Sequence, residues 1–183
     1  MSARDEARIT FQDADEAGRW HAVNDGVMGG VSAGGLRAEG EIGVFTGRLS
    51  LDHGGGFASI RRAPRAGARD GTPGRPREAS LEQALGDARG VRLRVRGDGR
   101  TYQLRLRSDR LGEGSAYRAR FATTGEWQTI DLPWGAFEAV RRGRRLEDAP
   151  PLAPDEIRQV GLLIADRREG AFRLEIAALE ALA

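Results

Sequence analysis

Val91-Arg92-Leu93-Arg94-Val95-Arg96, followed by Gly97-Asp98-Gly99-Arg100 and then, after Thr101, by Tyr102-Gln103-Leu104-Arg105-Leu106-Arg107, is the stretch that decides the fold. Apolar and polar residues alternate on both sides of the glycines, which is the two-residue period of a half-buried strand and not the 3.6-residue period of a helix. The Gly-Asp-Gly corner predicts a hairpin between the two runs. Runs of strand character recur at 44–51, 57–61, 117–122, 127–132, 160–165 and 172–176. Some eight strands joined by glycine-rich turns predict an all-β chain built as a sandwich or jelly roll. Short helical pieces are expected at 80–86, with Ser80 as cap and Gly86 as stop, at 134–140 after Pro133, and at 154–157.

The 183 residues suit one domain with a sizeable core, so a single domain over 1–183 is expected. At 39% hydrophobic and 31% charged, the balance is that of a globular chain. The first eighteen residues are charged throughout and lack the apolar core of a signal peptide, and every apolar run is broken well short of a membrane span. A cytoplasmic location is the expectation. The segment 62–77 is rich in Arg, Gly, Pro and Ala and predicts a flexible surface loop.

The chain has no Cys, which excludes thiol nucleophiles, disulfides and zinc-thiolate sites. All 29 basic residues are Arg, so Schiff-base chemistry and a phosphate-loop lysine are excluded as well. A net charge of +2 gives no reason to expect nucleic acid as a partner. His21 and His53 are the sole imidazoles, and neither has a neighbour at metal-ligand spacing. No serine lies in a nucleophile-elbow motif. Asp13, Asp15, Asp25 and Glu175 offer oxygen ligands for calcium without an EF-hand loop to organise them. No catalytic residue, cofactor or metal is expected, and an enzyme acting through His21, Asp25 and Arg61 is the least favoured reading.

Two features point to binding. In Trp20-His21-Ala22-Val23-Asn24-Asp25-Gly26-Val27-Met28-Gly29-Gly30-Val31-Ser32, the residues Asn24, Asp25 and Gly26 favour turns with positive φ and local bonds to backbone amides. Gly29 and Gly30 allow close approach, and Trp20 and Met28 are expected to anchor the loop in the core. The second feature is the arginines. With Val91, Leu93, Val95, Tyr102, Leu104, Leu106, Tyr117, Ala119 and Phe121 inward, Arg92, Arg94, Arg96, Arg105, Arg107, Arg118 and Arg120 point outward on strands expected to be neighbours. Either acidic side chains such as Asp131 and Glu175 neutralise them, or they form a groove for an anionic or hydroxyl-rich ligand. Trp20, Trp127, Trp134, Tyr102 and Tyr117 serve as core packing or as stacking platforms for a sugar.

Six ordered motifs span most of the chain: W-x-x-V-N-D-G-V-M-G-G-V-S at 20–32, F-T-G-x-L-S-L at 45–51, G-G-F-A-S-I-R at 55–61, R-G-D-G-x-x-Y-x-L-x-L-R at 96–107, W-Q-x-I-x-L-P-W-x-x-F at 127–137 and G-x-F-x-L-E-I at 170–176. In these the chain resembles the complex I (NADH:ubiquinone oxidoreductase) intermediate-associated protein family. The resemblance implies a galactose-binding-like jelly-roll β-sandwich, akin to carbohydrate-binding modules, and no catalytic residues. Mitochondrial members act as assembly factors for complex I, and related domains in photosynthetic organisms are fused to dinucleotide-binding domains. The chain is expected to resemble the bacterial members that stand alone, which have no assigned biochemical role; the absence of a targeting extension and the insertion at 62–77 set it apart from the mitochondrial type and weaken a direct transfer of the assembly role. The expectation is therefore a non-catalytic assembly or protein-interaction factor whose partner is a protein, a respiratory-chain subunit in the first instance. The alternative is a module for a glycan or small anion. The residues expected to carry binding are Trp20, Asn24, Asp25, Met28, Arg61, Arg94, Arg105, Arg107, Arg118 and Trp127.

Overall fold

The computed structural model describes residues 8–28, 32–54, 56–63 and 81–183. Its strands are β1 (Arg8–Thr10), β2 (Trp20–Ala22), β3 (Ala33–Glu39), β4 (Ile42–Leu49), β5 (Ala58–Arg62), β6 (Gly90–Arg96), β7 (Thr101–Ser108), β8 (Ser115–Ala122), β9 (Trp127–Pro133), β10 (Glu138–Arg141), β11 (Arg144–Arg145), β12 (Ile157–Ile164) and β13 (Gly170–Leu182). Two short helices, α1 (Asp15–Gly18) and α2 (Leu81–Leu85), accompany them. The first sheet runs β3-β4-β13-β6-β9, with β1 beside the far half of β13, and the second runs β11-β10-β8-β7-β12-β5-β2. Every pairing is antiparallel, and the sheets face one another as a jelly-roll sandwich.

The alternating residues fill the space between the sheets. Val91, Leu93 and Val95 from β6 and Tyr102, Leu104 and Leu106 from β7 are all at most 1% exposed. Phe45 and Phe172 meet edge to face at 5.0 Å between ring centroids, and Tyr102 stacks on Phe121 at 6.1 Å. Each such side chain contributes about 1.5–3 kcal/mol through burial. Trp20 belongs to this core at 6% exposure, tilted against Phe11, with its indole N–H donating to Glu16 Oε1 at 3.1 Å.

The expected hairpin between β6 and β7 does not form. β6 pairs with β13 and β9 in the first sheet, and β7 with β8 and β12 in the second, so Gly97 to Arg100 carries the chain from one sheet to the other. Alternation states which residues face the core, and strands from opposite sheets satisfy it equally. Asp98 fixes the crossing: its carboxylate accepts from the Arg100 N–H, the Tyr102 hydroxyl and the Arg173 N–H, the last at 2.8 Å. Residues 134–140 also differ from expectation, because a 3₁₀ turn at Trp134–Ala136 gives way at once to strand β10. Arg62, expected to open the loop, instead ends β5 and is held by Glu16 at 2.6 Å. The rest of that loop, 64–77, and the proposed cap Ser80 lie outside the described residues; α2 follows where a helix was expected.

Candidate functional site: an arginine face on the second sheet

Because β6 and β7 belong to different sheets, the seven outward arginines divide between two faces. Arg92, Arg94 and Arg96 stand on the outer face of the first sheet, and Arg105, Arg107, Arg118 and Arg120 on that of the second.

The first face is largely neutralised, with Arg94 alone of its three reaching, among the described residues, only a hydroxyl, that of Thr129. Arg92 forms a forked pair with Asp131 across β6 and β9, at 2.7 and 3.0 Å. Arg96 bonds Glu175, while Arg173 bonds both Glu39, at 2.6 Å, and Glu175. The guanidiniums of Arg96 and Arg94 also lie 5.3 and 5.7 Å from the Trp127 ring centre, a cation–π arrangement. These contacts hold the carboxyls of Asp131, Glu39 and Glu175 below their ordinary range.

The second face has a different composition. A single register line crosses it from β2 to β10: His21 opposite Arg61, Arg61 opposite Gly161, Gly161 opposite Arg105, Arg105 opposite Arg118, and Arg118 opposite Glu138. Arg107 lies two residues along β7 from Arg105, on the same face, opposite Gln159. Arg118 is buried and bonded to Glu138 at 3.0 Å. Arg105 donates to the Gln103 side-chain carbonyl at 3.1 Å and, among the described residues, has no carboxylate partner. Among the described residues, Arg61 and Arg107 have neither. Burial, reinforced by the nearby charges of Arg118, Arg61 and Arg107, pushes the Arg105 guanidinium down to about 10. Burial, with Arg107 close by, also lowers Arg61. Gly161 separates Arg61 from Arg105 and admits no side chain, since a Cβ there would come within 2.7 Å of the Ile60 carbonyl oxygen.

An uncompensated charge on this face opposes folding. For Arg105, whose folded value lies below its unfolded value, the unfolded chain holds the extra proton between the two, so stability rises with pH from about 10 towards the ordinary arginine value. Below that window the charged side chain is a standing cost. Arg105→Gln is expected to raise Tm by about 2–4 °C at pH 7 by removing opposed like charges, as thermal unfolding would show.

The loop residues have structural work. Asp25 is wholly buried, and its carboxylate accepts from the backbone N–H groups of Ser32 at 2.8 Å, Gly56 at 2.7 Å and Phe57 at 3.3 Å. Burial raises its pKa, but these bonds outweigh burial and hold it below the ordinary value. Asn24 bridges likewise, accepting from Ser59 N–H and donating to the Gly34 carbonyl. Neither residue, nor Gly26, has positive φ; Asp25–Met28 is a 3₁₀ turn, whose backbone is right-handed, and most of the bonded amides lie far along the chain. The Met28 side chain, Gly29 and Gly30 lie outside what is described. His21 and Arg61 are cross-strand neighbours, but Asp25 is committed to backbone amides and does not complete a triad with them. Among the described residues no three His, Asp or Glu side chains are grouped to hold a metal ion.

Of the residues marked from sequence, the fold brings together Arg61, Arg105, Arg107 and Arg118 on one face and pairs Arg94 with Trp127 on the other. It places Trp20, Asn24 and Asp25 at the sandwich edge as fixtures of the β2 to β5 region. Gly161 was not marked, and only its register between two arginines reveals it.

Comparison with known proteins agrees with this architecture. A family 11 carbohydrate-binding module from Clostridium thermocellum, solved in complex with a β-1,3-1,4-mixed-linked tetrasaccharide, superimposes with a TM-score of 0.61 at 14% identity, covering 96% of each chain. The corresponding module of the cellulosomal cellulase Lic26A-Cel5E of the same organism gives 0.60, also at 14% identity, covering 96% of this chain and 95% of that one. At such identity the likeness is one of fold. In sequence, the chain is 26% identical over 189 positions to complex I intermediate-associated protein 30, mitochondrial, of Mus musculus, covering 94% of this chain and 55% of that protein. The chain thus spans about half the length of this curated relative. No helix among the described residues is long and apolar enough to cross a membrane. The family model for complex I intermediate-associated protein 30 matches from residue 9 to residue 176, and the chain belongs to that family.

Proposed function

We propose that this chain is a non-catalytic binding domain that serves the assembly of respiratory complex I, holding a protein partner on the outer face of its second sheet. The observation that carries the reading is the family match over residues 9–176, together with the name of the mouse relative. The choice of face follows from charge: the first sheet closes most of its arginines in ion pairs, whereas on the second, among the described residues, Arg61, Arg105 and Arg107 have no carboxylate. In this reading the chain works in the cytoplasm of a bacterial host, whereas the mouse relative is mitochondrial. Deleting the chain from its host should lower assembled complex I on native gels, and re-expression should restore it. Normal complex I in the deletion strain would refute the proposal.

A second reading, a glycan or small-anion module, is favoured by the uncompensated arginines. The neighbouring folds include modules that bind carbohydrate. Sugar rings, however, are usually held by stacking on aromatic faces. The described register line across this face has no aromatic residue, and Trp127 stands on the opposite sheet beneath two guanidiniums. Calorimetry with the mixed-linked tetrasaccharide is expected to show no binding at millimolar concentration.

A further inference from the structure

We propose that the Arg61, Arg105 and Arg107 cluster around Gly161 is a docking site for an extended acidic segment of the partner protein, one with carboxylates at alternate residues. The inference rests on the assembly reading above and specifies the chemistry of the partner.

The argument begins with the contrast between faces. On the first sheet this chain meets most of its outward arginines with carboxylates: Asp131 meets Arg92, Glu175 meets Arg96, and Glu180 meets Arg8. On the second sheet the same chain places Gly161 and Gln159 opposite Arg61, Arg105 and Arg107. Gln159, directly opposite Arg107, holds no charge, and Gly161 admits no side chain that could carry one. Arg61 and Arg105 are half-buried even so, which means that charge repulsion is retained where hydration is reduced.

Dimensions select the class of ligand. Neighbouring strands lie about 4.8 Å apart, so Arg61 and Arg105, with Gly161 between them, stand about 10 Å apart at their backbones. Arg105 and Arg107 are separated by about 7 Å along β7. Charges spread over that distance exceed the span of one phosphate or carboxylate. An extended peptide repeats its same-side residues at about 7 Å, which is the spacing of Arg105 and Arg107. Guanidinium forks suit carboxylates two bonds at a time. The lack of an aromatic residue on the described register line weighs against a polysaccharide.

The test uses the full chain and a fluorescein-labelled decapeptide of alternating Glu and Thr. Binding should be detectable by anisotropy at low ionic strength and weaken at least tenfold between 50 and 300 mM salt on the order expected for a few screened contacts. The triple variant Arg61→Gln/Arg105→Gln/Arg107→Gln should lose at least about tenfold in affinity, and Arg92→Gln/Arg94→Gln, on the opposite face, should lose none. Arg105→Lys/Arg107→Lys keeps the charge without the fork and should fall between, which keeps the test informative if the triple variant folds poorly. Equal binding by wild type and triple variant, or tight binding of inorganic phosphate or a mixed-linked glucan oligosaccharide with none of the peptide, would overturn the inference. Complementation of the deletion strain separates the two levels. If wild-type chain fails to restore complex I, the assembly reading fails; if wild type and triple variant restore it equally, the docking site fails and the assembly reading stands.

Discussion

Asp166→Ala is expected to cost about 3–5 kcal/mol and lower Tm by about 10 °C or more, because it strands a buried charge. Arg100 and Asp166 are 6% and 8% exposed at their side chains and meet in a forked pair, with Arg100 Nε 2.8 Å and Nη2 2.6 Å from the carboxylate oxygens. The same guanidinium donates to the backbone carbonyls of Arg168, Gly170 and Ala171, so one side chain at the head of β7 holds the turn that leads into β13. Without Asp166, Arg100 keeps its three carbonyls and loses its counter-charge. Replacing both members, as in Arg100→Met/Asp166→Leu, removes the charges together and is expected to cost clearly less than the single change. Chemical denaturation of the three proteins measures this. A single variant as stable as wild type would show that water reaches the pair.

The Asp25→Ala change should cost about 3 kcal/mol or more, since it leaves the N–H groups of Ser32, Gly56 and Phe57 without their acceptor in a site that is closed to solvent. Asp25→Asn should be nearly as harmful, because an amide places N–H groups against N–H groups on one side. The pH dependence has a definite sign. The folded carboxyl is depressed below its unfolded value, so its contribution is complete above about pH 4 and fades as pH falls through the folded value. The stability gap between wild type and Asp25→Ala, measured by denaturant titration, should therefore narrow as pH falls from 7 towards 2. A gap that stays constant over that range would mean the carboxylate charge is not what holds the loop.

These two residues also mark what could be read from sequence. Inward faces were legible wherever strands alternate, as at 91–96, 102–107 and 117–121, since burial is set residue by residue. Partnership was not, and the crossing at 97–100 looked like a hairpin because both flanking strands point apolar residues into one core. β3 escaped notice because Gly34 and Gly47, opposite one another, leave space that other groups occupy: a Cβ on Gly34 would lie 2.8 Å from the Phe172 ring, and one on Gly47 would lie 2.0 Å from the Ala33 carbonyl oxygen. Arg100 resembled a turn residue, since its acceptors lie 66 to 71 residues further on. The arginine face was half legible. Outward direction followed from alternation, while the division into a neutralised and an open face depended on which sheet each strand joined.

The long strand β13 has a consequence for how the molecule comes into being. It pairs with β4, β6 and β1, so the first sheet has no centre until these last described residues arrive, and the Thr46 hydroxyl waits for a carbonyl 126 positions away. Distant closures of this kind slow folding, because chain entropy is lost before contact energy is gained. During synthesis β4 and β6 therefore spend time as open edges, able to pair with whatever passes. A chain proposed to shepherd another protein's assembly would itself pass through a stage in which it needs shelter.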